Sequence, residues 1–263
     1  MPANFAHFKF GKLVLATLPM EEKKVILDAF DSFAVGVHGP DILFYYKPIG
    51  KNAVNQKGNR MHEEEAYPFF QKAKATYLSR NRREEDLAYL FGFICHFALD
   101  STCHPIVEQT MAEKKVPHVL VESSFDRYLL LKSGHDPERY DTAKHVMVKE
   151  ETIQDVSVYL EVTRKEARKC LKSIDFYSRP IRPRNAFKRN FLKLGMKVAG
   201  VYSSLYPMVI PEKKYHDLDD SDALLFHKMN KAVEFAKELI TNYNSFIKDG
   251  NSLDERFKRN YEA

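Results

Sequence analysis

The chain has 263 residues, enough to bury a sizeable core, and its 41 Lys and Arg against 36 Asp and Glu leave a formal net charge of +5. That excess is mild and spread along the sequence without a dense basic block, so it is only weak evidence for an anionic partner. Three cysteines, Cys95, Cys103 and Cys170, give no disulfide framework and suit a reducing compartment. The first residues lack the basic start, apolar stretch and cleavage site of a signal peptide, and no apolar run reads as a membrane span. The expectation is a cytoplasmic protein without a transmembrane segment.

Apolar residues recur at three- and four-residue steps through most of the chain, and strand-like alternation is almost absent. This predicts an all-α, multi-helix bundle, read as one domain over residues 1–263. The predicted helices are Phe8–Leu18, Glu21–Val35, His62–Ser79, Glu84 to about His104, Pro117–Lys132, Thr152–Leu160, Arg164–Ile174, about Asn185–Ser204 and Asp220–Ile247. Pro and Gly mark breaks at Gly39-Pro40, Gly50 to Gly58, Gly134 to Pro137 and Arg179 to Pro183. Basic residues gather from Arg179 to Lys197, read as a loop followed by the solvated face of a helix.

Three polar residues stand out upstream. His7 sits in NFAHFKFG among phenylalanines, Asp41 follows Gly39-Pro40 and precedes the apolar run Ile42 to Tyr46, and His62 lies in NRMHEEE. His62 is read as opening a helix whose Glu63, Glu64 and Glu65 complement its dipole. Each has an ordinary explanation: packing for His7, an Asx-turn or cap for Asp41.

The run AYLFGFICHFALDSTCHP is more specific. His96, Asp100 and His104 stand at i, i+4 and i+8, and each four-residue step on an α-helix turns the side chain by only about 40°. All three share one face. A lone histidine on an apolar helix is ordinarily a core residue, but a carboxylate among Phe97, Ala98 and Leu99 costs several kcal/mol unless it is paired or coordinated. Imidazole and carboxylate together suit Zn²⁺. His118 and Glu122 repeat the four-residue step after Pro117, which can start the helix that presents them. Pro105 disfavours helical geometry at His104, so the helix is expected to end or kink there and to let His104 reach a neighbouring metal. Cys103 is read as a buried thiol beside the ligand face.

In this order, a His, a Gly-Pro-Asp, a His, a His-xxx-Asp followed by His-Pro, and a His-xxx-Glu resemble the zinc-dependent phospholipase C family, related in fold to the single-strand-specific zinc nucleases. The resemblance covers Pro2 to about Tyr128; the metal site falls in about residues 1–128, with helical completion over about 150–263. It implies an all-α bundle with three Zn²⁺ in a cleft. Carried onto this chain, Asp41, His62 and His96 bind one zinc, and Asp100 bridges it to a second that His7 also holds. His104, His118 and Glu122 take the third. Pro2, five residues before His7, is expected to supply a terminal nitrogen and carbonyl to the second zinc once Met1 is removed.

The implied chemistry is hydrolysis of a phosphodiester by zinc-activated water, with Asp41 as general base or water orienter. The substrate is a phosphate ester, either a phospholipid headgroup or another phosphodiester; Ile42 and Asn59 offer no aromatic face for a choline group. Two rivals stand beside this reading. One is a single-strand-specific zinc nuclease with nucleic acid as substrate, and the other a non-catalytic helical zinc protein that binds a protein partner.

Overall fold

The computed structural model describes residues 4–178, 186–198, 200, 209 and 216–262, and among these it contains helices and no strand. In chain order the α-helices are α1 (Asn4–Thr17), α2 (Met20–Asp28), α3 (Phe30–Gly36), α4 (Ala53–Glu63), α5 (Ala66–Ser79), α6 (Glu84–Lys114), α7 (His118–Lys132), α8 (Glu150–Tyr159), α9 (Arg164–Ser178), α10 (Ala186–Val198) and α11 (Asp219–Lys248). Short 3₁₀ segments occupy Gly39–Tyr45, His216–Leu218 and Glu255–Lys258. The all-α expectation is met.

Helix α6 organises the rest. Every residue from Asp86 to Ser101 is buried, the signature of a helix surrounded on all sides by protein. By length and composition it is apolar enough to cross a membrane, contrary to the sequence reading, yet 89% of its most apolar window is buried inside the fold. It packs most extensively against α3 and α11, and also against α1, α2 and α7. The α3 crossing is backbone to backbone: a Cβ on Gly36 would lie 2.2 Å from the Tyr89 carbonyl oxygen, and one on Gly92 would lie 2.4 Å from that of Phe33. This approach delivers the Gly39–Tyr45 segment directly onto the ligand-bearing face of α6.

Several predicted boundaries move. Helix α6 does not end at Pro105 but continues to Lys114. An interior proline costs about 3 kcal/mol, but Pro105 is exposed while its neighbours His104 and Ile106 are buried, so tertiary packing holds the helix through it. The expected Glu21–Val35 helix is two, because Ala29 leaves helical geometry at φ −128° and ψ 46°. The Gly50 to Gly58 break is largely helix. Asn52 caps α4 by accepting from the Val54 and Asn55 backbone N–H groups, and the Asn55 side chain accepts from the Asn52 N–H in return. His62 therefore lies in the last turn of α4 and does not open a helix, and Glu63 to Glu65 span the α4–α5 junction. Pro117 precedes α7 as its N-cap. The expected Asn185–Ser204 helix is described as Ala186–Val198; its remaining residues, like Arg179 to Pro183, lie outside the described residues.

Candidate metal centre

Eight of the nine residues singled out in the sequence converge. Three groups have ligand atoms all within 4.8 Å of one another: His7, His96 and Asp100; Asp41, His62 and His96; and His104, His118 and Glu122. Helix α1 supplies His7, the 3₁₀ segment Asp41, α4 His62, α6 its three, and α7 the last two. The ninth, Pro2, lies outside the described residues.

Asp100 sits between the first two groups. Its Oδ1 faces His7 Nε2 at 3.4 Å, while Oδ2 faces His96 Nε2 at 3.1 Å and His62 Nε2 at 3.8 Å. His62 Nε2 also lies 3.2 Å from Asp41 Oδ1. The third group is looser, with Glu122 Oε1 at 3.1 Å from His118 Nε2 and 4.0 Å from His104 Nε2. Between His96 and His104 this one helix contributes side chains to all three groups, and His104 does so from an unbroken α6 rather than from beyond a break at Pro105.

The tautomers test whether a cation fits. His62 Nδ1 lies 2.8 Å from the Gly58 carbonyl, and His104 Nδ1 lies 3.0 Å from the Tyr261 carbonyl. A carbonyl oxygen only accepts, so both Nδ1 atoms carry hydrogen, and in the neutral ring each Nε2 presents a lone pair to carboxylates. A lone pair facing a carboxylate is unfavourable unless a proton or a metal cation lies between them, and against the cost of burial Asp41 already raises the His62 ring above its ordinary value. His96 is fully buried with neither ring nitrogen in a hydrogen bond, although a carboxylate oxygen is close, and His7 Nδ1 is likewise unsatisfied. These donor sets fit Zn²⁺.

Charge follows the same logic. Burial opposes ionisation of Glu122, but nearby positive charge, with protonated His118 and His104 rings among its sources, brings its carboxyl down to about 2, a role that a bound cation would take over. Burial likewise opposes ionisation of Asp100 and Asp41, yet nearby positive charge, the adjoining histidine rings in their protonated form included, holds both well below the carboxylate range. Burial pushes His7 down to about 4, keeping its ring neutral and able to ligate. A cavity of about 170 Å³ opens onto the groups and is lined by Asp41, Asp100, Glu122, Glu63 and Glu262, with His62, His104, His118, Asn59 and Phe44. Three of these carboxylates, Asp41, Asp100 and Glu122, are buried, and buried carboxylates so close together call for cations.

Supports come from residues the ligand pattern did not name. Gly39, at φ +49°, rests on the His96 ring, where a Cβ would be 2.4 Å from Cδ2. Behind it, His38 Nε2 and His145 Nε2 are 2.7 Å apart, so one buried ring donates to the other, and burial holds His145 down at about 3. Phe8 stacks on His145 at 3.8 Å. Asp126 on α7 accepts from the Ala6 and Phe5 backbone N–H groups at 2.8 and 3.2 Å, tying the start of α1 to the helix that carries Glu122. Of the aromatic run, Phe44 reaches the cavity, Tyr45 is buried against Asn4, and Tyr46 faces a separate basic pocket. No group includes Cys103, whose thiol burial pushes up to about 12.

An all-α bundle that brings three His and carboxylate groups together beside one cavity is a framework that could hold metal ions. A family model described as zinc dependent phospholipase C matches residues 6–172, well over half of the chain. The chain belongs to that family. The match extends beyond the Tyr128 limit of the sequence resemblance to take in α8 and part of α9. Neither the curated proteins nor the solved structures contain a match to this chain.

Proposed function

We propose that the protein is a cytoplasmic phosphodiesterase that cleaves a phospholipid-type phosphodiester at a centre of three Zn²⁺. The observation that carries the reading is Asp100, whose two oxygens face different histidine sets. Asp41, His62, His96 and Asp100 would hold one ion, His7 and Asp100 a second, and His104, His118 and Glu122 the third. The ions would lower the pKa of bound water and polarise the phosphoryl oxygens. Asp41, ionised and lining the cavity, would orient the attacking water or take up its proton. The Gly58 and Tyr261 carbonyls fix the tautomers that aim His62 and His104.

Cavity size and wall chemistry bear on the substrate. About 170 Å³ admits a phosphoryl group with its water, so the rest of the substrate stays outside. Phe44, with Glu63 and Glu262 beside it, offers an aromatic and acidic wall suited to a cationic headgroup. Three buried free cysteines support a reducing, cytoplasmic setting.

The test is hydrolysis of a nitrophenyl phosphodiester, phospholipids and single-stranded DNA by wild type and Asp100→Asn. The variant keeps one carbonyl oxygen and cannot span both ligand sets as a carboxylate does. It should lose at least one zinc and about 100-fold or more of the activity. Full activity in the variant would refute the assignment, and cleavage of DNA alone would favour the nuclease reading.

A further inference from the structure

Helix α10 presents apolar side chains to solvent on one face. Phe187, Phe191, Leu194 and Val198 are 80%, 72%, 61% and 82% exposed. At 100° per residue they fall within about 60° of arc. Met196, about 180° from Phe187 on the wheel, is buried at 9% exposure, so the inner face is the one turned toward protein. The outward stripe is therefore a second apolar face, and Lys188 on one side and Lys193 and Lys197 on the other flank it. A stripe of this kind on a surface helix marks an interaction site.

Charge indicates the occupant. Between Asp175 and Glu212 the sequence carries seven Lys and Arg and no Asp or Glu. A second copy of the chain would bring the same cationic segment against this face and be repelled. Phenylalanines in the centre with lysines at the flanks are what an anionic bilayer accepts, because the rings enter the headgroup and acyl boundary while lysine stems snorkel outward.

We infer that α10 docks the protein on an anionic lipid bilayer, lying in the interface plane with Phe187, Phe191, Leu194 and Val198 inserted. This inference stands apart from the zinc reading. Binding needs no turnover, and none of these residues belongs to the metal centre.

Vesicle flotation with the full chain tests it. Wild type should bind phosphatidylcholine vesicles containing about 30 mol% phosphatidylserine, and bind pure phosphatidylcholine at least about tenfold more weakly. Phe187→Ser with Phe191→Ser should weaken binding about 100-fold, while melting temperature and hydrolysis of a soluble nitrophenyl phosphodiester stay unchanged. Leu194→Ser with Val198→Ser should act in the same direction and guards against misfolding of the first variant. Vesicle binding by a wild type that hydrolyses no phosphodiester would support docking and refute the proposed function. Equal binding by wild type and both serine variants would overturn the inference. So would absence of vesicle binding, or a solution dimer that the serine substitutions dissociate without any effect on vesicles.

Discussion

Replacing Gly39 with alanine should expel zinc from the Asp41, His62 and His96 set. The residue adopts φ +49°, which costs an alanine about 1 kcal/mol. Its new Cβ would lie 2.4 Å from His96 Cδ2 and 2.5 Å from Cγ. Ordinary contact begins near 3.4 Å, so the ring or the 3₁₀ segment must give way by about 1 Å. The ring is fully buried, and overpacking of such a site costs about 1–3 kcal/mol. The total is about 2–4 kcal/mol, which at this chain length lowers Tm by about 4–16 °C. Gly134→Ala separates the two contributions, since Gly134 has φ +73° with open space where the Cβ would go. It should show the backbone cost alone and keep its metal. Metal content by mass spectrometry and thermal melts of both variants are the assay. Equal zinc and equal melting in the two would refute the claim that Gly39 seats His96.

Two further predictions concern stability. Pro105→Ala restores a helix former at an exposed position inside α6 and should raise stability by about 1–3 kcal/mol with zinc content unchanged; loss of zinc would show that the proline shapes the site. Burial and the Asp86 carboxylate hold Asp155 up at about 7, against the Ser32 hydroxyl that donates to it at 2.6 Å. The folded state then keeps a proton that the unfolded chain releases near pH 4, so stability falls as pH rises toward 7, by about 1.4 kcal/mol per unit. Urea midpoints of wild type and Asp155→Asn at several pH values check this: their difference should follow that slope, and parallel profiles would contradict it.

What could be read ahead of the structure was local chemistry. His96, Asp100 and His104, and separately His118 and Glu122, lie on one helix face by spacing alone; His7, Asp41 and His62 stood out as polar residues, and the resemblance joined them to the others. Boundaries failed where a competing physical effect decided them. Packing around α6 overrode Pro105, and the Asn52–Asn55 capping box, present in the sequence, outweighed the glycines on either side of it. The carbonyls of Gly58 and Tyr261 had no such signal, because every residue carries a backbone carbonyl and its use leaves no residue-type signature. Nor does spacing show that the chain returns at Tyr261 and Glu262 to the cavity built by its first half. The basic segment read as a solvated face did carry a legible sign, the apolar step Phe187, Phe191, Leu194, Val198.

The most direct test is the zinc content of the purified wild-type chain, counted beside His118→Ala. The account predicts three zinc ions per chain and two in the variant, with His7 and His96 still occupied. One zinc or none in the wild type, or an unchanged count in His118→Ala, would contradict it.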